Sequence, residues 1–471
     1  MTTGEEKKRR NKIESRKSAK NCFEQRVEEC LRNHLKTRLR MAEKQQYDVA
    51  IIGGGVSGTA LLYTLSKYTN IGRIVLVEKY PELGNVNSNV KNNSQTLHVG
   101  EIETNYTIEK VKQVYPASMM VKRYTDSLPP DSRAEIIRQM QKMVLAVGEE
   151  ECAALEKRYG SLKEVFPLLC KLDASGISEA EPEIMRGRSP KEKVLALFNP
   201  EGYAVNYSRL AESFAGEVEN HWPERAQILL NREVRAIRRT ESVYVLTTGA
   251  GNISARIVVV DADAHSLGFA KSLGYGEEFS LIPIAGNFYF TPERLRGKVY
   301  RVQNKRLPFS AVHGDQELTE PHATRWGPTA RLYPVLEARN LRTMKAFFSS
   351  SGFHRVQTWF SFAIILLDPL RFWYLFRNLL YEIPIIGNYI FLQKVRNIVP
   401  TIRASDLRRA KGYGGMRLQR VNTKTHELLL GEGKIVGDNI IFNMSPSPGA
   451  SVCLHNAMRD AEQIAKFSTD F

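Results

Sequence analysis

Three glycines and one acid carry the most legible chemistry in the chain. Gly53, Gly55 and Gly58 stand at G-x-G-x-x-G spacing, and Glu78 follows Gly58 by twenty residues. Glycines so placed serve a tight turn, a close approach of backbone to a pyrophosphate, and close helix packing. Amides at the helix start near Val56 then face the phosphates, with the positive end of the helix dipole behind them. A carboxylate at the end of the following strand accepts bonds from ribose hydroxyls, which favours NAD or FAD over NADP. These roles need a strand, a turn, a helix and a second strand in that order. Val49 to Ile52 supply a short apolar run suited to a buried strand, and Arg73-Ile-Val-Leu-Val-Glu78 closes the unit.

Composition sets the bounds. With 471 residues and 42% hydrophobic content the chain can bury a large core, most naturally in two domains. Residues 1 to 46 hold fourteen Lys and Arg against seven Glu, so +7 of the formal +16 lies there and +9 is left for the other 425 residues. The body is therefore mildly basic, which suits an anionic substrate or membrane surface, and no nucleic-acid-binding motif is present. Cys22, Cys30, Cys152, Cys170 and Cys453 are scattered, without a CxxC pair or a histidine at metal spacing, and read as reduced thiols with no metal site. No apolar run reaches the length of a bilayer span and no secretory signal opens the chain. A soluble or peripheral protein is expected.

Along the chain, Phe23, Val27, Leu31, Leu35 and Leu39 form a helical stripe amid basic residues, either an amphipathic targeting or membrane-surface helix or a frayed basic extension. Glu24, Glu28 and Glu29 are unusual for a transit peptide. The polar stretch from Asn87 to Thr107 is too long for a plain connection, and long polar loops beside a nucleotide site carry binding groups. Lys110 to about Leu172 reads as helical, with Met140, Met143, Val144 and Val147 on one face. Period-two patterning from Ala226 to Asp261 predicts four short strands in a meander. Ile282 to Phe290 and Gly297 to Tyr300 form a second strand-rich block. Phe353 to about Val399 is helical and rich in aromatic residues, and Asp368-Pro369 interrupts it. Its faces suit either a packed helical pair or a surface resting in lipid headgroups. A strand at Asn439 to Asn443, a small-residue turn and a helix to Lys466 close the chain and make the nucleotide domain discontinuous.

Taken together, the glycine turn ending in Glu78, the loop Asn92-Asn-Ser-Gln-Thr-Leu-His98 to Asn105-Tyr-Thr, the segment Leu307-Pro-Phe to His313-Gly-Asp, and Ser445-Pro-Ser-Pro-Gly-Ala-Ser451 resemble the shorter form of the FAD-dependent malate:quinone oxidoreductases. The resemblance runs from about Tyr47 to the C-terminus. It implies an α/β fold with a Rossmann-like FAD domain and a mixed-sheet substrate domain, related to the amino-acid oxidases. The expected division is a basic extension at 1–46, an FAD domain at 47–110, 205–275 and 401–471, and a substrate domain at 111–204 and 276–400. The resemblance also implies oxidation of L-malate to oxaloacetate, transfer of electrons to quinone, and peripheral attachment to a membrane. The basic extension points to the mitochondrial inner membrane, the alternative being the cytoplasmic face of a bacterial-type membrane.

Malate oxidation needs a base at the hydroxyl, a flavin facing the C–H bond, and cations for two carboxylates. The resemblance implies His313 as that base, Arg417 as the first carboxylate clamp, Arg325 as a second, and His98 beside the flavin ring. With them go Lys79, Asn93 and Ser94 on the cofactor, and Gly449, Ala450 and Ser451, whose amides would face the pyrimidine edge of the flavin. One departure from the family stands out. Asp261-Ala-Asp263-Ala-His265 occupies a turn where relatives carry small residues and a glycine. Positive φ is tolerable for Asp there, but its charge would repel phosphates. Competing readings are a sister enzyme acting on 2-hydroxyglutarate or an amino acid, a flavin scaffold without turnover, and a basic binding protein acting through residues 1 to 46.

Overall fold

A computed structural model describes residues 46–468 apart from 305, 306, 308–311, 321, 384, 430 and 445–447. The stripe from Phe23 to Leu39 lies outside them, as do parts of the segments around Pro308 and Pro446. The first described elements are β1 (Gln46–Ile52), α1 (Val56–Tyr68) and β2 (Ile74–Val77). β1 and β2 are parallel, and the apolar run from Val49 to Ile52 is buried on both faces as its composition predicts. α2 (Ile108–Asp126) is capped by the Thr107 side chain, which accepts from the Lys110 amide. The expected long helix to Leu172 stops at Asp126. Met140 to Val147 form no helical face: β3 (Lys142–Val147) is a strand between two neighbours in a sheet. Both of its faces are buried, so the run is apolar throughout and its period cannot distinguish strand from helix.

α3 (Tyr207–His221) packs Leu210 and Phe214 into the core around α1. The predicted four-strand meander contains three. β4 (Ala226–Leu229) instead joins the sheet edge parallel to β2, while β5 (Val234–Arg239), β6 (Tyr244–Thr248) and β7 (Gly251–Val260) fold back antiparallel, and β7 then runs parallel to β1. After α4 (Ala264–Ser272), the block from Ile282 to Phe290 breaks at Gly286, sending β8 (Phe279–Ala285) and β9 (Tyr289–Pro292) into different sheets. β10 (Lys298–Arg301), β11 (His313–Gln316) and β12 (Ala323–Gly327) belong to an eight-stranded mixed sheet in which β9, β12, β11, β10 and β3 are consecutive neighbours.

Three apolar helices follow: α5 (Val356–Leu366), α6 (Pro369–Leu380) and α7 (Ile386–Arg396). Asp368 ends the first run as predicted, its carboxylate capping α6 through the Arg371 amide at 3.0 Å. β13 (Met416–Asn422) pairs antiparallel with β8, so the chain rejoins the nucleotide sheet only at β14 (Gly433–Gly437) and β15 (Ile440–Met444), later than the expected boundary at 401. α8 (Cys453–Ser468) closes over α1. In the same way α2, assigned by the sequence to the substrate side, packs Val111, Val121 and Tyr124 into the core that holds Leu61 and Leu62. Cys152, Cys170 and Cys453 are free thiols.

Candidate active site

Two hollows meet at the ends of the parallel strands. The first, of about 220 Å³, follows the glycine turn and is lined by Gly53, Gly55, Val56, Glu78 and Lys79. Gly53 has φ +118°, and a Cβ there would lie 2.4 Å from the Asp261 carbonyl oxygen; a Cβ on Gly58 would lie 2.0 Å from the Gly53 carbonyl. Any larger residue at either place would push the turn off the sheet. The Glu78 carboxylate ends β2 and accepts from the Gly54 amide at 2.6 Å and the Tyr80 amide at 2.8 Å, which fixes its position at the ribose end of the cleft. Lys79 pairs with Glu337, which His265 also contacts at 2.8 Å. The Val56 amide at the helix start donates to Ser88 Oγ at 3.0 Å, a hydroxyl standing where a phosphate oxygen is expected.

The second hollow, of about 500 Å³, collects Asn93, Ser94, His98, His313, Arg417, Ala450 and Ser451. Asn87, Asp263 and Ala450 line both hollows, so the two are contiguous. His98 is anchored through its backbone: its amide donates to Ser451 Oγ at 2.9 Å and its carbonyl accepts from Ser118 Oγ at 2.6 Å. Its Nδ1 is bound to the Glu103 carboxylate and its Nε2 lies 3.0 Å from Ser94 Oγ. Burial works against ionisation of Glu103, but His98 and Lys142 outweigh it and hold its pKa below the ordinary value. His313 lies on β11 with its ring stacked on Tyr300, centroids 4.4 Å apart. Arg417 projects from β13 at the cavity wall beside Tyr106 and Tyr374, and burial pushes its pKa down. Gly449 opens the turn before α8 but is not among the lining residues.

Arg325, the predicted second clamp, does not reach the cavity. It is fully buried on β12, where its guanidinium forks onto Asp315 at 3.1 and 2.9 Å. Lys298 completes the cluster, 2.7 Å from Asp315. Burial opposes the Asp315 charge, but Arg325 and Lys298 overcome it and hold the carboxyl well below the usual range. Lys298 itself is pushed down to about 8 by burial against the pull of Asp315. The cations reach further: Arg325 donates to the Asn93 carbonyl at 3.1 Å, Lys298 to that of Ser94 at 3.1 Å, and Lys142 to that of Leu97 at 2.5 Å. This cluster therefore pins the long polar loop that presents Ser94 and His98.

The turn at Asp261 and Asp263 also differs in kind from its sequence description. Asp263 does adopt positive φ, at +46°, and its carboxylate accepts from Asn87 Nδ2 at 2.7 Å. Burial raises its pKa. Asp261 is raised to about 7, by burial first and by the nearby Asp460 second; Asn443 bonds both carboxylates, at 3.0 and 2.6 Å. Residues without a predicted role include Glu103, Lys110, Tyr300 and Gln303 at the second hollow and Asn87 and Ser88 at the first. Asn87, Ser88 and Glu103 fall within the polar stretch from Asn87 to Thr107 that the sequence marks for binding groups, whereas Lys110, Tyr300 and Gln303 carry no such signal.

A family model described as FAD dependent oxidoreductase matches residues 48–443. Malate:quinone oxidoreductase of Helicobacter pylori (strain J99) is 39% identical over 431 residues, covering 90% of this chain and 95% of that protein. The probable malate:quinone oxidoreductase of Campylobacter jejuni is 38% identical over 439 residues, covering 90% and 96%. Among solved structures, glycine oxidase from Geobacillus kaustophilus shares the fold at TM-score 0.59 and 18% identity, covering 90% of this chain and 95% of that one. The FAD-bound L-alpha-glycerophosphate oxidase of Mycoplasma pneumoniae does so at TM-score 0.61 and 16% identity, covering 89% and 94%.

Proposed function

Because the chain belongs to the malate:quinone oxidoreductase family of FAD-dependent oxidoreductases, we propose that it oxidises L-malate to oxaloacetate and delivers the electrons to a membrane quinone. The observation that carries this reading is the contiguity of a dinucleotide cleft with a cavity holding an arginine and two histidines. The cleft fits FAD: the Gly53 turn leaves no room for a side chain, the Val56 amide is placed for a phosphate, and Glu78 is placed for a ribose. When bound, FAD supplies the two-electron acceptor for the C2 hydride.

The chain's own residues do the rest. Arg417 offers a planar fork to one malate carboxylate. Lys110, at the cavity rim, replaces Arg325 as the cation for the second. His98 takes the hydroxyl proton. Glu103 fixes its ring and stabilises the imidazolium that results, as a carboxylate behind a catalytic histidine does. His313, stacked on Tyr300, is proposed to orient the substrate hydroxyl, so that the base expected at His313 is placed at His98 instead. The mitochondrial address is proposed on residues 1 to 46 alone.

The test is an anaerobic titration of the flavoprotein with L-malate, D-malate and 2-hydroxyglutarate. Bleaching of the flavin band by L-malate alone, restored by a soluble quinone, is the expected result; bleaching only by another acid overturns the substrate. His98→Asn should lower the rate of flavin reduction by about 10²- to 10⁴-fold, and by more than His313→Asn does. A larger loss with His313→Asn would return the base to His313.

A further inference from the structure

The helices α5, α6 and α7 turn an apolar face outward. From Val356 to Tyr389 the exposed side chains include Trp359, Phe360, Leu367, Phe372, Trp373, Phe376 and Ile385, and none of the exposed described residues there is charged. Trp359, Trp373 and Ile385 are 57%, 64% and 74% exposed, and the rings of Phe372 and Phe376 pack against that of Trp373, so the residues form a patch rather than scattered single side chains. The pattern is regular. Val356, Trp359, Phe360, Ala363, Ile364 and Leu367 fall on one stripe of α5, and Phe372, Trp373, Phe376 and Leu379 on one stripe of α6. α5 and α6 meet at 85°, and no single helix among the described residues is long and apolar enough to cross a membrane.

Charge identifies the occupant. Between Leu341 and Asn397 every exposed charged residue among those described is basic, namely Arg342, Lys345 and Arg396, whereas Asp368 and Glu382 are half-buried and engaged as a helix cap and an ion-pair partner. An apolar aromatic face with basic flanks matches the interface of a bilayer carrying anionic lipid, with tryptophan at headgroup level. A second copy of the chain would cover apolar area equally well but gives no reason for the one-sided charge.

The inner side of the same helices packs directly behind the wall of the substrate cavity. Ile365 of α5 and Leu375 of α6 pack with Ile284 and Ala330, both of which line the cavity, and Asn378 of α6 accepts from the Ala330 amide at 2.7 Å. Tyr374 lies close enough to interact with Arg417. The helix layer and the residues it packs on, Ile284 and Ala330, separate the exposed face from the cavity.

We infer that α5, α6 and the start of α7 insert into one leaflet of a bilayer containing anionic lipid, and that quinone reaches the cavity through this wall. The inference rests on the proposed function for the identity of the acceptor. Each turnover converts one quinone to quinol with the two electrons and two protons released by malate, so no further reductant is required.

The experiment uses the full-length holoenzyme and the double variant Trp359→Glu/Trp373→Glu, with vesicles of phosphatidylcholine alone or with one third phosphatidylglycerol. The wild type should float with the anionic vesicles. The variant should partition about tenfold or more weakly, retain its flavin and its malate-dependent reduction of a soluble short-chain quinone, and lose reduction of a long-chain quinone embedded in the vesicles. Undiminished flotation of the variant overturns the docking face. A wild-type dimer that the substitutions dissociate, without flotation, assigns the face to a second copy and overturns it too. Lost flotation with undiminished embedded-quinone reduction overturns the route. Flotation that the variant loses, in a protein whose flavin L-malate does not bleach, upholds the docking face while removing the proposed function and the quinone route with it.

Discussion

Two groups of buried aspartates flank the candidate active site, and they solve the same electrostatic problem in opposite ways. Asp315, beneath the polar loop, is met by Arg325 and Lys298 and stays ionised despite complete burial. Asp261, on the first hollow, and Asp263, at the junction of the two, are met by Asn443 and Asn87, whose amides donate bonds but carry no charge, and both carboxyls are pushed upward. The first arrangement is complete within the protein and organises the loop that carries Ser94 and His98. The second leaves charge uncompensated where an anionic cofactor must pass. Burial alone therefore says little about a carboxylate; the identity of its partner decides whether it serves as a strut or as a variable.

The largest expected effect comes from breaking the completed cluster. Arg325→Leu removes both forks onto Asp315 and the bond to the Asn93 carbonyl, and should destabilise the fold by about 3–5 kcal/mol, the cost of stranding a buried charge. Chemical denaturation reads this directly. Loss of less than about 1 kcal/mol would mean that Lys298 alone suffices.

A smaller effect with a distinctive sign belongs to the other group. The folded-state pKa of Asp261, raised to about 7, means that the folded chain holds a proton there that the unfolded chain has released. Stability of the flavin-free protein should therefore fall as pH rises from about 4 to about 7 and level off above, with a slope of at most about 1.4 kcal/mol per pH unit. Asp261→Asn should flatten that window. Asp315 has the opposite linkage, its contribution being present above the ordinary carboxylate range and lost in acid, so denaturation midpoints across pH separate the two sites.

How much of this was legible depended on whether a residue's role was local. The glycine turn, its strands and Glu78 are set by contacts within about thirty residues, and the fold expected from them is the one observed. The strand Lys142–Val147 read as helix because burial on both faces erases the alternation that marks a strand. Arg325 read as a clamp because nothing in the sequence reveals that Asp315, ten residues earlier, faces it across a sheet pair. Lys142 and Lys298 escaped notice for the same reason: a lysine beside an apolar strand ordinarily snorkels to solvent, and only tertiary pairing shows these two fully buried. The outward face of α5 and α6 was visible as an aromatic run, but which side met solvent required the neighbours that cover the other.

The subtlest test concerns Asp263. Its carboxylate lies at the junction of the hollows, one hydrogen bond from Asn87, whose neighbour Ser88 accepts from the Val56 amide at the expected phosphate position. Bringing a pyrophosphate beside an ionised Asp263 costs either charge repulsion or uptake of a proton. Asp263→Asn removes the charge while keeping a side chain that tolerates φ +46° and can still bond Asn87. FAD affinity of the variant should rise about tenfold at pH 8 and by less in acidic buffer, because burial raises the Asp263 pKa and protonation relieves the repulsion. Titration of the flavin-free protein, followed by quenching of flavin fluorescence, measures both. An unchanged affinity at both pH values would mean that the carboxylate turns away from the phosphates on binding, and Asp263 would then join Asp315 as part of the scaffold.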